Sequence, residues 1–343
     1  MKVLHLITRM NTGGPAVFLD HLTHANHPSC ESVIGYGHCE SNETDYTEDH
    51  ELSATLIKIK HLHRSLNPID DIRAFFEIRK IIKIEKPKVV NTHTSKAGVL
   101  GRIAAKSVSR RIKVVHTFHG HLIYGYFARY KSLIFTIIER FLALFTDAAV
   151  AVTSETKRSL QALGIGKRLN WRVIHIGVPE VTLKPAKLNM NGKLKLLWVG
   201  RFTGIKDPLY AINTISRLKN GDVELVMVGG GELFDDIKNK SNGLPVTFTG
   251  WMKDPFTKIT DFDLLLITSK NEGLPLVMLE AANYSRPTLA RNVGGLSEFI
   301  ENNKTGILVN GGPDEMAKVI EKLILDKSVL ETLGSNANNL LHD

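Results

Sequence analysis

The chain has 343 residues, 43% of them apolar and 23% charged, a length that predicts two domains rather than one core. Its two cysteines, Cys30 and Cys39, stand at no metal-ligand or disulfide-framework spacing, which excludes a disulfide-stapled scaffold and fits a reducing cytosol. The net charge of +9 is one-sided: residues 1–180 hold 25 Lys/Arg against 16 Asp/Glu, residues 181–343 hold 19 of each, and residues 52–140 alone hold 18 against 5. Such a basic segment points to an anionic partner surface, nucleic acid or the inner leaflet of a membrane, with solvated basic helix faces as the plainer reading.

The first element, "KVLHLIT" (2–8), reads as a strand. It has no small-residue cleavage site behind it, so it is not read as a signal peptide. "NTGGPA" (11–16) follows and opens a helix. Gly13 and Gly14 there let the backbone approach a ligand, but the pattern is not GxGxxG and a dinucleotide reading is weak. "DDIRAFFEIRKIIKIE" (70–85) is a helix, with aspartates at its start and apolar residues at helical spacing. The runs at 88–94, 112–118, 148–154 and 171–178 are short, unbroken apolar strands, as a parallel sheet buried on both faces requires. In "HTFHGH" (116–121), His116 falls inside the strand and is expected to be buried. His119 and His121 flank Gly120 at the strand mouth, with no carboxylate at metal-ligand spacing.

The longest apolar stretch, "SLIFTIIERFLALF" (132–145), is broken by Glu139 and Arg140 and is too short to span a bilayer. Most of it is expected against the sheet. The preceding 122–131 is expected to be exposed, where Tyr124, Tyr126, Phe127 and Tyr130 with Arg129 and Lys131 suit a headgroup layer. "PEVTLKPAKLNMNG" (179–192) reads as a linker, placing the domains at 1–180 and 181–343.

The alternation restarts with strands at 193–200, 223–230, 246–250, 263–269, 287–293 and 306–310. The fold class is therefore α/β: two doubly wound, Rossmann-like sheets that bind ligands at their strand carboxyl ends and, facing one another, across a cleft. "VGRFTGIKDP" (199–208) follows the first of these strands, and its Arg201 and Lys206 suit a diphosphate leaving group. "MVGGGE" (227–232), with Gly231, lets a nucleotide lie against the backbone. In "TGWMKD" (249–254), Trp251 is either core or part of a base-binding edge. "DFD" (261–263) resembles a metal-binding Asp-x-Asp, but it begins an apolar strand, opposite the functional end.

In "NEGLPLVMLEAA" (271–282), Pro275 is a favoured first helix residue and "LVMLEAA" continues the helix. Glu272 then precedes the helix and Glu280 lies about 8 Å along its axis from Pro275. Gly273 and Leu274 expose the helix start, an anion site between two hydroxyl-binding acids.

Taken in order, "GGPA", "THTSKAG" (92–98), "HTFHGH", "VGRFTGIKD", "VGGGE" and "SKNEGLPLVMLEAANYSRPTLARNVGGLSEFI" (269–300) resemble the retaining glycosyltransferases of family 4, with the GT-B fold, over nearly the whole chain. The last contains that family's Glu-x7-Glu signature as Glu272 and Glu280. The first-domain motifs look most like the branch building capsule, exopolysaccharide and O-antigen.

The resemblance implies an N-terminal acceptor domain and a C-terminal donor domain. It has Arg201 and Lys206 holding a donor diphosphate, Glu280 the ribose and Glu272 the sugar hydroxyls. The amides after Gly273, at Leu274 and beside Pro275, contact sugar or phosphate. His119 faces the anomeric centre, Gly14 approaches the phosphates, and Gly231 and Trp251 complete the donor side. Lys96 of "THTSKAG" joins Tyr124, Arg129 and Lys131 on the acceptor and membrane side.

The expected reaction moves a sugar, with retention, from a nucleotide sugar, UDP favoured, to a glycan or polyprenyl-diphosphate-linked sugar. No metal, cofactor or nucleic acid is expected. A cytoplasmic protein, peripheral on the inner membrane face, follows. The competing readings are a nucleotide-sugar epimerase of the same fold, a glycosidase using Glu272 and Glu280, and a non-catalytic nucleotide-sugar sensor. The tail "ETLGSNANNLLHD" is shorter than the family's usual helices that cross back onto the first domain.

Overall fold

The alternation of apolar runs and helical segments folds into two parallel sheets, one in each of two units, Met1–Gly177 and Val178–Asp343. The computed structural model describes residues 1–25, 28–40, 43–120, 129–178, 188, 192–219 and 221–342, and of 129–131 the backbone alone.

In the first unit the strands are β1 (Lys2–Ile7), β2 (Glu31–Tyr36), β3 (Thr55–Lys58), β4 (Val89–His93), β5 (Lys113–Phe118), β6 (Ala148–Ala151) and β7 (Asn170–Val173). They pair in the order β3-β2-β1-β4-β5-β6-β7, all parallel. The helices are α1 (Gly14–His24), α2 (Tyr46–Asp49), α3 (Pro68–Glu85), α4 (Ser95–Val108), α5 (Arg129–Leu142) and α6 (Ser154–Ala162).

Two strands were not anticipated. β2 carries Gly35 within its apolar run, and β3 is a short edge strand with mostly exposed residues, so neither has the strong pattern of a central strand. α3 begins two residues earlier than 70, because Asn67 caps it by accepting from the amides of Ile69 and Asp70 and Pro68 takes the first helical position. The 171–178 run leaves the sheet after Val173. His175 then meets the Val152 carbonyl through Nδ1 at 3.1 Å.

In the second unit β8 (Leu194–Val199), β9 (Val223–Val228), β10 (Val246–Gly250), β11 (Leu264–Ile267), β12 (Thr288–Arg291) and β13 (Gly306–Val309) form a parallel sheet in the order β10-β9-β8-β11-β12-β13. Its helices are α7 (Pro208–Ile215), α8 (Phe234–Lys240), α9 (Pro255–Lys258), α10 (Leu276–Asn283), α11 (Pro313–Leu325) and α12 (Ser328–His342). The central strands are buried on both faces, around Leu196, Trp198, Leu225, Met227 and Leu266. The tail helix α12 packs on α10, and Asn338 Nδ2 donates to the carbonyls of Ala282 and Asn283 at 3.0 and 3.2 Å.

The largest departure from expectation is α5. Its buried side holds Thr136, Glu139 and Leu142, and its outward side holds Leu133, Ile134, Ile137, Ile138 and Phe141, followed by Leu144 at 78% exposure. The stretch 132–145 therefore does not lie apolar face down on the sheet. The reason is electrostatic. Arg102 of α4 and Glu139 are both almost wholly buried, and Arg102 Nη2 donates to both Glu139 carboxylate oxygens at 2.8 and 2.9 Å. Neither charge tolerates burial without the other, so the pair sets the rotation of α5.

Removing one partner leaves an uncompensated buried charge. Glu139→Ala should cost about 3–5 kcal/mol of stability, whereas Arg102→Met with Glu139→Leu together should recover most of it. Urea unfolding of the three proteins measures this, and equal losses in the single and double variants would show that α5 is oriented by something else.

Candidate active site

The carboxyl ends of β8, β9 and β11 bring the second unit's motifs together. After β8 the chain continues alongside the end of β9. Gly200 N donates to Val228 O at 3.0 Å, Phe202 N to Gly230 O at 2.9 Å, and Leu233 N to Phe202 O at 3.0 Å. This close knitting explains the glycine run. Gly231 has φ +147°, and a Cβ there would lie 2.7 Å from the Phe202 carbonyl oxygen. Its need for glycine is met by protein backbone alone. Trp251 is 42% exposed and is not core; its indole edge lies over Gly230.

Arg201 and Lys206 leave the same loop. The end of that loop is pinned to β11: Trp198 Nε1 donates to Thr268 Oγ1 at 2.9 Å, Thr268 Oγ1 to the Lys206 carbonyl at 3.0 Å, and Lys270 N to the Ile205 carbonyl at 2.8 Å. Asp207 takes φ +48° and accepts from Arg291 Nη1 at 3.1 Å. With its backbone held, Lys206 projects to Glu272: Nζ lies 2.5 Å from Oε1, and Ser269 Oγ donates to the same oxygen at 2.5 Å. These residues line a small recess with Trp198, Leu266 and Val277.

Glu272 is itself fixed through its backbone. Gly295 N donates to its carbonyl at 3.0 Å. Gly294 sits at φ +57°, and any Cβ there would come within 1.9 Å of the same oxygen. Gly273, Leu274 and Pro275 are buried and lead into α10. Pro275 is the residue before the helix, with φ −75° and ψ 115°, rather than its first residue. The residue before the helix, Pro275, offers no side-chain cap; Met278 N donates to the Pro275 carbonyl at 3.1 Å, and the amides of Leu276 and Val277 have no intrahelical acceptor.

Glu280 lies inside α10. Burial raises its carboxyl to about 7, and the nearby Asp254 carboxylate pushes in the same direction. Among the described residues no hydrogen bond reaches its carboxyl. Glu280 is half-buried, and its acceptor oxygens are not committed to other described protein groups. Asp263 is placed as expected, at the amino end of β11, where its carboxylate accepts from Lys195 N at 2.9 Å. Among the described residues no three His, Cys, Asp or Glu side chains converge to hold a metal ion.

In the first unit, the strand ends carry imidazoles. His116 is buried, and its Nδ1 is 2.8 Å from Thr92 Oγ1. His119 stands just past β5. Its Nε2 is 2.9 Å from His93 Nδ1, its ring meets Phe18 edge-on, and burial draws it down to about 3. Gly14 opens α1, and a Cβ there would meet nothing within 4 Å. Lys96 is engaged by the Asp71 carboxylate at 2.5 Å and by the Ser65 carbonyl, so its ammonium ties α4 to the start of α3. His121, Tyr124, Tyr126 and Phe127 lie outside the described residues, as do the side chains of Arg129, Tyr130 and Lys131.

Sequence reasoning missed Ser269, Gly294, Thr268 and His93. Ser269 and His93 both lay in quoted motifs at strand ends, which was the available signal. Thr268 and Gly294 act through contacts with residues far away in the chain, and no local pattern carries that.

Two family models match the chain: glycosyltransferase family 4 over residues 33–180 and glycosyl transferases group 1 over 193–326. The O-antigen biosynthesis glycosyltransferase WbnH of Escherichia coli is 32% identical over 258 residues, 75% of this chain and 73% of that protein. The UDP-Gal:alpha-D-GlcNAc-diphosphoundecaprenol alpha-1,3-galactosyltransferase of E. coli is 28% identical over 317 residues, 86% of this chain and 80% of that protein. Among solved structures, Anabaena HepE in complex with UDP and glucose superposes with a TM-score of 0.83 at 18% identity, over 99% of this chain and 94% of that one. The chain thus belongs to the glycosyltransferases of family 4, with the GT-B fold, among the enzymes of O-antigen and capsular polysaccharide synthesis.

Proposed function

We propose that the protein transfers a sugar, with retention of configuration and without a metal ion, from a UDP-sugar to a polyprenyl-diphosphate-linked sugar. The observation that carries the donor side is the Lys206–Glu272 pair, joined by Ser269, beside the start of α10. A donor diphosphate competes for Lys206 with a higher charge than one carboxylate. It accepts from Lys206, from Arg201 and from the first-turn amides of α10, and all three stabilise it as it leaves. Releasing Glu272 from Lys206 frees its oxygens for sugar hydroxyls, so phosphate binding and sugar binding are coupled through one ion pair. Glu280 accepts from the ribose hydroxyls, and His119 orients the sugar undergoing transfer. The acceptor hydroxyl attacks from the face the leaving phosphate vacates and gives that phosphate its proton, so no opposed pair of carboxyls is needed. The UDP seen with HepE and the diphosphoundecaprenol-linked acceptor of the galactosyltransferase favour these two substrates.

The outward face of α5 favours a membrane surface as the place of work. α3 packs on α4 and α4 on α5. α3 adds exposed Ile69, Ile72 and Phe76 to the apolar residues of α5. Arg73, Lys80 and Lys83 of α3 are exposed, as are Arg110 and Arg111 in the loop after α4 and Lys113 at the start of β5. Apolar side chains bordered by cations match an anionic lipid headgroup layer. Among the described residues no helix is long and apolar enough to cross a membrane.

Lys206→Ala and Arg201→Ala should each weaken UDP binding by about 1.5–3 kcal/mol, as loss of a charge-assisted contact does, while Glu272→Gln should mainly weaken UDP-sugar binding and turnover. Calorimetry with UDP and with UDP-sugars separates these effects. Unchanged UDP affinity in both cation variants would remove the diphosphate assignment. UDP release from a UDP-sugar only when a lipid-linked acceptor is added, with an α-linked product from an α-linked donor, tests the reaction itself.

The raised carboxyl of Glu280 has a signed consequence. Its folded pKa is about 7 against an ordinary 4.5, so the folded state holds a proton that the unfolded state has lost, and stability falls as pH rises through 7. Glu280→Gln should therefore melt higher than the parent at pH 8 by an amount worth up to about 2–3 kcal/mol, with little difference at pH 4.5, while binding UDP more weakly. Equal melting temperatures at pH 8 would mean that the carboxyl is not desolvated.

The parent protein should sediment with phosphatidylglycerol-rich vesicles at low salt and be partly released by high salt. Ile137→Glu with Phe141→Glu should abolish sedimentation without lowering the melting temperature, since both side chains are exposed. A parent protein that stays in the supernatant removes the membrane surface.

A further inference from the structure

Three imidazoles in the first unit form a continuous chain. His5 stands in β1, His93 ends β4 and His119 follows β5. His5 Nδ1 lies 3.3 Å from His93 Nε2, and His93 Nδ1 lies 2.9 Å from His119 Nε2. The middle ring is firmly placed. Thr94, directly after it, holds φ +62°, a region β-branched residues avoid, and its hydroxyl is fixed 2.7 Å from that of Thr8.

Burial depresses all three rings: His5 to about 4, His119 to about 3, and His93 well below its ordinary value, the last helped by the neighbouring imidazoles. The groups around them are Phe18 and His116, with the Arg102 guanidinium acting on His116, and none of these compensates a positive charge. The rings are neutral at pH 7.

A neutral imidazole carries one N–H. Three rings carry three such hydrogens, and each of the two contacts holds one. The remaining hydrogen must sit at one end of the chain, on His119 Nδ1 or on His5 Nε2. His119 Nδ1 is shielded from solvent and has no hydrogen-bond partner among the described residues.

We propose that His5, His93 and His119 act as one tautomerically coupled chain, in which His5 and His93 are positioning residues that decide whether His119 Nδ1 presents an N–H or a lone pair. The proposal rests on the reading of His119 as the group that orients the transferring sugar. It differs from a simple packing role because the setting at His119 depends on a ring two contacts away.

Nitrogen-15 histidine labelling of the full chain and long-range proton–nitrogen spectra give the tautomer of each ring. The parent should show three neutral rings with His119 in a single tautomer. His5→Phe, which removes the distal nitrogens but keeps a ring in place, should shift His119 to a mixture and lower kcat roughly 10- to 100-fold with little change in KM for the donor. In His93→Asn the side-chain amide can take the place of Nδ1, so this variant should retain part of the kcat that His93→Ala loses. Adding His5→Phe to His93→Asn should then change nothing more, because an amide does not pass a tautomer on.

Unaltered His119 nitrogen shifts in folded His5→Phe overturn the coupling, whatever turnover does, and this variant alone decides if the His93 variants do not fold. Shifted His119 nitrogens with normal turnover uphold the coupling and instead remove His119 from the proposed transfer.

Discussion

Every strand in both sheets runs parallel to its neighbours, so each sheet presents all its carboxyl ends along one edge. That constraint places the chemistry. Residues far apart in the chain become neighbours only because the loops leaving adjacent strands start from the same edge. Lys206 and Glu272 meet across 66 positions because β8 and β11 pair. His93 and His119 meet because β4 and β5 pair, and His5 joins them from β1 on the other side of β4. The backbone knitting around Gly231 and Gly294 then removes the freedom those loops would otherwise have.

Two ion pairs show how position changes the meaning of the same chemistry. Arg102 and Glu139 are sealed and bidentate, with no route for a competitor, and their effect is to orient α5. Lys206 and Glu272 sit in a recess with the lysine side chain 28% exposed, so an anion can reach the ammonium and displace the carboxylate. A pair that is easily exchanged suits a binding site, whereas a pair that cannot exchange suits a hinge of the architecture. Because α5 turns Glu139 inward, Leu133, Ile134, Ile137, Ile138 and Phe141 face outward, which links a buried electrostatic contact to an exposed apolar surface.

Burial acts in opposite directions on titratable groups of the two units. It keeps the three imidazoles neutral by removing their proton, and it keeps Glu280 close to neutral by retaining one. Both leave groups whose hydrogen-bonding role is not settled by charge. In the imidazoles it is settled by the geometry of their contacts with each other. In Glu280 it is settled by pH.

Much of the fold, and the gathering of its motifs at strand carboxyl ends, was legible in the amino-acid sequence by itself. Short apolar runs between amphipathic segments determined two α/β units, since only strands buried on both faces need such runs. Gly-rich turns and the spacing of Glu272 and Glu280 around a helix start are local features, and they pointed to an anion flanked by hydroxyls. β3 was missed because an edge strand demands less apolar continuity, and β2, which lies between β3 and β1, because Gly35 interrupts its apolar run. Other features were decided by tertiary structure alone. Trp251 is exposed, and α5 is turned over because burial depends on which neighbour is charged: Arg102 lies 37 positions from Glu139. Gly231 serves backbone packing because the Phe202 backbone runs beside it. The imidazole chain needed three strands in register, and no window of sequence contains His5, His93 and His119 together. Periodicity and turn chemistry act over a few residues and can be read along the chain. Charge pairing, burial and hydrogen-bond partnership act across the sheet and exist only once the strands have paired.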